Sequence, residues 1–310
     1  MRILFMGTPD FARESLNALY NEGYEICGVV CPQDRPKGRG MKMMACPVKE
    51  FAIEKNLPLF QPEKLKEIKE NIIEMNPDMI VVVSYGKILP KSILELPKFG
   101  CINVHPSLLP KYRGSAPIQW AILNGDKTTG TTIMKMDEHM DSGDIIIQKE
   151  VAINEDETTG ELWNRLSTIS SELLLQAVKE VFDGTAKYIK QPENYTLAPI
   201  LTKDMAKIDW ENVTSIQIKN LVRGLNPIMG AYCNFRGKKI KFWKVEVIES
   251  YQNSDELPGT IIMSDSKKGL YVKTKDGAIS ILEIQGENAR KMSINEFLRG
   301  NKIEIGDKLD

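Results

Sequence analysis

Asn103, His105 and Ser107 bring an amide, an imidazole and a hydroxyl into the stretch Asn103-Val104-His105-Pro106-Ser107-Leu108-Leu109-Pro110. An imidazole near neutrality can give or take a proton, so acid–base chemistry is the first expectation. A lone histidine also serves as a structural group, but its place at a strand end beside Asn103 favours a site. Ser107 as a nucleophile activated by His105 has little support. No G-x-S-x-G elbow occurs, and residues two apart along a strand do not set up the needed hydrogen bond. Ser107 is better suited to holding its loop by hydrogen bonds.

The only other histidine, His139, lies in the charged turn Asp137-Glu138-His139-Met140-Asp141 and reads as a solvated side chain. Two histidines exclude a His-rich metal site. Cys27, Cys31, Cys46, Cys101 and Cys233 are widely spaced with no C-x-x-C pair, so no metal is expected and the cysteines read as reduced thiols. Asp137, Asp141 and Asp144 share one turn, and Asp141-Ser142-Gly143-Asp144 is tight enough to project a carboxylate inward. The group is either an ordinary acidic turn or a partner that orients His105 and favours its imidazolium.

The elements that must carry these groups are legible as an α/β pattern. Cys101–Val104 reads as a short strand broken by Pro106 and Pro110, each lacking an N–H. Met1–Met6 and Glu25–Val30 read as strands around a helix from Phe11 to Glu22, with Asp10 as N-cap and Gly23 as stop. Asp78–Val83 is almost wholly apolar, as in a parallel strand covered on both faces, and leads into Ser84-Tyr85-Gly86. Pro47 to Lys55, Pro62 to Asn76 and Ala116–Leu123 read as helices, Thr129–Lys135 and Asp144–Ala152 as strands. Thr158 to Phe182 reads as a long amphipathic helix opened by a Thr158–Glu161 capping box. The expectation is a Rossmann-like, doubly wound, mostly parallel sheet with polar side chains at the strand exits.

A chain of 310 residues suggests two domains. Residues 1–189 form the first, the aperiodic stretch 190–207 a linker, and 208–310 the second. After a helix around Val213–Leu225, the runs Ala231–Phe235, Lys239–Ile248, Gly259–Met263, Leu270–Thr274 and Ile279–Ile284 read as five short strands of a small OB-like β-barrel. Composition is that of an ordinary globular protein, 42% apolar and 27% charged, which excludes collagenous and low-complexity classes. No apolar run approaches a membrane span or a signal segment, so no membrane is expected and the location reads as cytoplasmic.

Nucleotide cofactors lack support. Neither G-x-G-x-x-G nor G-x-x-x-x-G-K-[ST] follows a strand, and the glycine after Gly7 is Gly23. The net charge of −1 hides a mildly basic C-terminal third and two basic stretches. Residues 31–46 form a long irregular loop with Arg35, Lys37, Arg39 and Lys42 against Asp34, fitting either a solvated loop or a mobile phosphate contact. Arg236, Lys238, Lys239, Lys241 and Lys244 are interleaved with Phe242 and Trp243. Strand alternation puts Lys239, Lys241 and Trp243 on one face and Lys238, Phe242 and Lys244 on the other, and a lysine-protected edge strand would look the same.

Asn103, His105 and Ser107-Leu108-Leu109-Pro110, followed 36 residues after His105 by Asp141, resemble the 10-formyltetrahydrofolate-dependent formyltransferases. Gly7-Thr8-Pro9-Asp10-Phe11, Asp34-Arg35-Pro36-x-Gly38-Arg39-Gly40, Tyr112-Arg113-Gly114-x-Ala116-Pro117-Ile118-Gln119 and the C-terminal β region extend the resemblance over essentially the whole chain, toward the branch that acts on methionyl initiator tRNA.

The resemblance implies transfer of the formyl group of 10-formyltetrahydrofolate to the α-amino group of the tRNA-borne methionine. It implies Asn103 as oxyanion donor, His105 as general base and Asp141 supporting His105. Ser107, Leu108, Leu109, Pro110 and Tyr85 are the folate-pocket candidates. Arg39 would reach the acceptor stem with Arg35, Lys37 and Lys42 beside it, while Arg236, Lys238, Lys239 and Lys241 would hold the tRNA backbone. No covalent intermediate and no protein partner are implied, and the chain is expected to be a monomer. Asn226-Pro227-Ile228-Met229 departs from the Asn-Pro-Trp-Pro of many relatives. A formyltransferase acting on a small amine, a formyl-folate hydrolase, or a non-catalytic RNA-binding module would share parts of this pattern.

Overall fold

The computed structural model describes residues 1–37, 42–248 and 255–310. They divide into two compact units. The first comprises Met1–Pro117, Thr128–Ala152 and Trp163–Pro199, the second Ile118–Lys127, Ile153–Leu162 and Ile200–Asp310. Residues 190–207, expected as a linker, are therefore shared out: 190–199 belong to the first unit and 200–207 to the second.

The strands of the first unit are β1 (Arg2–Gly7), β2 (Glu25–Val30), β3 (Arg35–Lys37), β4 (Lys42–Met44), β5 (Leu59–Phe60), β6 (Met79–Val83), β7 (Cys101–His105), β8 (Arg113–Gly114), β9 (Thr128–Lys135), β10 (Ile145–Ala152) and β11 (Leu197–Ala198). Its sheet runs β10-β9-β7-β6-β1-β2-β5. The pairs from β7 through β5 are parallel, and β9 and β10 add an antiparallel edge. Residues 3–6 and 79–83 are buried throughout, as strands covered on both faces must be. Burying each such side chain contributes roughly 1.5–3 kcal/mol.

Helices α1 (Asp10–Asn21), α2 (Pro47–Glu54), α3 (Lys69–Met75) and α4 (Lys91–Leu94) lie between the strands in sequence. Two expectations shift locally. Pro9, extended at φ −82°, takes the N-cap place expected of Asp10, which becomes the first helical residue. The helix expected over 62–76 opens as a 3₁₀ turn, Leu65–Ile68, before α3. Residues 31–46 are not wholly irregular, because β3 and β4 pair antiparallel as Arg35↔Met44, Pro36↔Met43 and Lys37↔Lys42.

Helices α5 (Pro117–Leu123) and α6 (Thr159–Phe182) follow the expected positions, and Thr158 and Glu161 exchange the hydrogen bonds of a capping box. In the second unit, α7 (Ser215–Gly224) starts at a Thr214–Gln217 capping box. It precedes β12 (Ala231–Phe235), β13 (Lys238–Ile248), β14 (Ile261–Asp265), β15 (Gly269–Lys273), β16 (Ala278–Gln285), β17 (Met292–Ser293) and α8 (Ile294–Gly300). The strand order is β12-β13-β16-β15-β14 with β17 on β16, every pair antiparallel. Trp210, Phe242, Ile240, Ile279 and Ile281 belong to its core. No helix among the described residues is long and apolar enough to cross a membrane.

Candidate active site

Strand β7 ends at the sheet edge where β1 and β6 also end, and Asn103 and His105, two apart, project to the same face. Asn103 pairs in register with Val82 of β6 and Met134 of β9, so its backbone is fixed from both sides. Among the described residues its side-chain amide has no hydrogen-bond partner, and it is only partly buried. An amide N–H without a partner, carried on a backbone held from both sides, is available to a developing negative charge.

His105 is 4% exposed, with Nε2 2.9 Å from the Tyr112 carbonyl oxygen. A carbonyl only accepts, so Nε2 carries the hydrogen and Nδ1 is the nitrogen free to take a proton. Nδ1 lies 3.6 Å from Asp141 Oδ2, too long for a hydrogen bond but in contact with the carboxylate. Tyr112 directs its carbonyl from the left-handed region, φ 64°, a conformation costing about 1–3 kcal/mol for a bulky residue. Thr196 holds it there, its Oγ1 accepting from the Tyr112 N–H at 2.9 Å.

Asp141 also sits at positive φ, 51°, which short polar residues tolerate. Its Oδ2 accepts from the Gly114 N–H at 2.8 Å, so the carboxylate is tied to β8 on one side and faces His105 on the other. The turn needs Gly143, because a Cβ there would collide with the Lys135 carbonyl. Asp137, which caps the same turn by accepting from the His139 N–H and the Ser142 hydroxyl, stays exposed, as does His139.

The side chain that completes this arrangement is Gln191, 7% exposed. Its Nε2 donates to the carbonyls of Asp141 at 3.0 Å and Gly143 at 2.8 Å. Its Oε1 accepts from Arg113 Nε at 3.2 Å and Nη2 at 2.7 Å, and the Arg113 guanidinium stacks 4.4 Å from the Tyr195 ring centroid. Gln191 thus joins the two segments that contact His105, Tyr112–Gly114 and Asp141–Gly143. It escaped the sequence reading because it lies in a stretch without periodicity. The one signal is a lone glutamine among charged and proline residues.

The folate-pocket candidates separate by burial. Ser107 is fully buried and built into the loop: its hydroxyl donates to Lys111 O at 2.6 Å and its carbonyl accepts from Thr132 Oγ1 at 2.7 Å. Leu109 and Tyr85 are each 3% exposed, and Leu108 and Pro110 retain accessible surface. Leu109 is pinned through its carbonyl to Gln148 Nε2 at 2.8 Å. Among the described residues the buried Tyr85 hydroxyl has no hydrogen-bond partner, and burial pushes it up to about 12.

Of the basic candidates, Arg35 is exposed on β3, whose neighbours Lys37 and Lys42 pair with each other in register. Arg39 lies outside the described residues. In the second unit the expected alternation along 238–244 holds as far as Phe242, which is fully buried beside Ile240. A bulge then intervenes, the register with β16 shifting on either side of Lys244, and Lys244 is exposed. Arg236 is engaged with Asp307 at 2.9 Å, and Lys241 donates to Met229 O at 2.7 Å. Lys238 and Lys239 are exposed, Lys239 resting 3.8 Å from the Tyr232 ring centroid.

Among the described residues, no group of three or more His, Cys, Asp or Glu side chains is placed to hold a metal ion.

Residues 1–178 match the family model "Formyl transferase", and residues 200–302 match "Formyl transferase, C-terminal domain". The chain is 48% identical over 310 residues to the methionyl-tRNA formyltransferase of Caldanaerobacter subterraneus subsp. tengcongensis, covering 99% of both chains. It is 47% identical over 309 residues to that of Clostridioides difficile, again covering 99% of each. Among solved structures, HypX from Aquifex aeolicus in complex with tetrahydrofolic acid aligns with a TM-score of 0.66 at 17% identity, over 99% of this chain and 50% of that one. The sugar 3N-formyl transferase WlaRD aligns with a TM-score of 0.65 at 20% identity, over 94% of this chain and 99% of that one. At these identities the two structures bear on the fold alone.

Proposed function

The chain belongs to the formyl transferase family, and on that premise we propose that it transfers the formyl group of 10-formyltetrahydrofolate to the α-amino group of methionyl initiator tRNA. The observation that carries the acceptor is end-to-end identity of 48% to an enzyme named for methionyl-tRNA, spanning both units. Sugar N-formyl transferases share the fold but at far lower identity, which makes a small-amine acceptor the weaker reading.

The folate supplies an activated one-carbon unit, and the site fits such a group: an unpartnered Asn103 amide lies two residues from a histidine whose free nitrogen faces a carboxylate. Asn103 donates to the formyl oxygen as negative charge develops there. The α-amino group of an aminoacyl ester needs little activation, since free α-amino groups titrate near 7.7–8.0 and a sizeable neutral fraction exists.

His105 accepts the amine's proton at Nδ1 while Nε2 stays committed to Tyr112. Asp141 then faces a charged imidazolium and stabilises it. Leu108 and Pro110 offer accessible wall for the folate, with Ser107, Leu109 and Tyr85 supporting from behind. No protein partner is required and a monomer suffices. Arg39, with Arg35, Lys37 and Lys42, and the exposed Lys238 and Lys239 with Lys241 and Arg236 supply cations for tRNA phosphates.

The test is an acceptor comparison at equal 10-formyltetrahydrofolate, using methionyl initiator tRNA, a free methionine ester, a glycinamide ribonucleotide and a nucleotide-linked amino sugar. The proposal expects kcat/KM to be highest for the charged tRNA by orders of magnitude. Preference for any of the small amines overturns the tRNA assignment.

A further inference from the structure

A neutral imidazole carries one N–H, and in His105 two acceptors compete for it. The Tyr112 carbonyl oxygen lies 2.9 Å from Nε2, and an Asp141 carboxylate oxygen lies 3.6 Å from Nδ1. Hydrogen bonds to an ionised acceptor are roughly twice as strong as neutral ones, so at equal distances the carboxylate would draw the hydrogen to Nδ1. That tautomer turns the Nε2 lone pair toward the carbonyl and leaves no bare nitrogen beside Asp141. Which nitrogen stays bare is therefore decided by how firmly the two acceptors are held at their unequal distances.

One short segment, residues 191–198, holds both. Strand β11 pairs in parallel with β8 as Leu197↔Arg113 and Ala198↔Gly114. Arg113 N donates to Thr196 O and Ser115 N to Ala198 O, each at 2.9 Å. Gly114, whose N–H is bound to Asp141 Oδ2 at 2.8 Å, sits at φ 125° against the Ala198 carbonyl, which a Cβ would approach to 2.7 Å. Gln191 Nε2 holds the Asp141 and Gly143 carbonyls. These ties fix the carboxylate's distance from Nδ1. On the carbonyl side, Thr196 Oγ1 accepts from the Tyr112 N–H at 2.9 Å, gripping a bulky residue in left-handed backbone that it would otherwise leave.

We propose that Thr196 is a positioning residue: through Tyr112 it locks His105 in the tautomer with its hydrogen on Nε2, leaving Nδ1 bare to take the proton of the attacking amine. The use made of the bare nitrogen rests on the proposed reaction, whereas the tautomer is a property of the resting chain.

Tyr112 is 6% exposed and Thr196 is exposed, so exchanging Thr196 leaves the core untouched. Valine keeps the shape but sets a methyl where Oγ1 was, so the Tyr112 N–H faces carbon and water cannot stand in. The carbonyl then leaves Nε2, and the hydrogen passes to Nδ1, toward Asp141. Alanine opens room for a water to accept from the same N–H, and serine restores the hydroxyl. The effect should fall in the order valine, alanine, serine.

The tautomer is read directly by nitrogen NMR of the full chain grown on isotope-labelled histidine. There are two histidines, and the exposed His139 is assigned by the loss of its signals in His139→Gln. At about pH 9, well above the ordinary imidazole value of about 6.5, the ring is neutral and each nitrogen reports itself as N–H or bare. The unaltered chain should show N–H at Nε2 of His105. Thr196→Val should raise the ratio of Nδ1–H to Nε2–H at least about fivefold, the equilibrium equivalent of one net hydrogen bond, and Thr196→Ser should leave it unchanged. N–H at Nδ1 in the unaltered chain, or an unmoved ratio in Thr196→Val, overturns the proposal. Formyl transfer to methionyl initiator tRNA, assayed on the same samples, should slow as the bare Nδ1 population falls. A shifted ratio with unchanged kcat supports the lock and overturns Nδ1 as the base.

Discussion

Replacing Gln191 with alanine tests whether the segments around His105, the proposed base, are positioned by a single buried amide. The substitution leaves the Asp141 and Gly143 carbonyls and the Arg113 guanidinium without their partner. Two neutral hydrogen bonds at about 1 kcal/mol each and one shared charged acceptor at about 1.5–3 kcal/mol sum to roughly 4 kcal/mol. Water can reach the partly exposed Arg113 and recover part of that, so a loss of about 2–4 kcal/mol is expected. Hydrogen exchange should locate the loss in residues 137–145, where protection falls.

The kinetics should report the same displacement. With Asp141 no longer held against His105, kcat falls while the KM for folate changes little. Gln191→Glu sharpens the test: it keeps an acceptor for Arg113 but sets a carboxylate against two carbonyls, so it should disturb the turn although the arginine pair survives. If Gln191→Ala unfolds within about 0.5 kcal/mol of the unaltered chain, roughly a quarter of the smallest loss expected, and keeps its kcat, Gln191 does not position His105.

Three further outcomes follow from the same geometry. Gly143→Ala should cost about 3 kcal/mol or more, since the added Cβ meets the Lys135 backbone and no flexible side chain can yield; a urea midpoint near that of the unaltered chain would contradict this. Asp34, held below the usual carboxylate range by hydrogen bonds from Lys49 and Gln61, contributes stability that is present above its unfolded pKa of about 3.9 and lost as pH falls through the lower folded value. The unaltered chain should therefore outlast Asp34→Asn at pH 6 and lose that advantage progressively as the pH falls below about 3.9, by thermal melts in matched buffers. Finally, log KM for charged tRNA should rise with log salt at a slope of roughly 2–3 if about three lysines meet phosphates, while formyl-folate hydrolysis stays flat; a flat tRNA response removes residues 236–244 from the interface.

The parts legible in the sequence are those encoded locally. Asn103 and His105 stand out because an apolar run ends at Pro106, whereas Asp137, Asp141 and Asp144 share one tight turn and only the family resemblance singles out Asp141. The parallel strands declare themselves by apolar runs without alternation, and the Thr158–Glu161 capping box by residues three apart. What escaped depends on pairing at a distance. Gln191 reaches Gly143 and Arg113 across 48 and 78 residues, and nothing in residues 190–207 records those partners.

The β3–β4 ribbon hides in a segment rich in proline, glycine and cations, where composition points to loop and only the pairing of Arg35 with Met44 reveals strand. The bulge at Lys244 likewise breaks an alternation that a simple period of two would continue. Asp10 lost its expected cap to Pro9 because an extended residue with a fixed φ already ends the loop one position earlier.

In the proposed reaction His105, flanked by Asn103 and Asp141, transfers a proton during formylation of an amine carried on tRNA. The most direct measurement is transfer of labelled formyl from 10-formyltetrahydrofolate to methionyl initiator tRNA by His105→Ala, alongside tRNA affinity measured by filter binding. Removing a general base should lower the transfer rate by at least about a hundredfold while tRNA affinity is unchanged. Transfer at the normal rate with weakened tRNA binding would contradict the catalytic assignment and leave an RNA-binding module in its place.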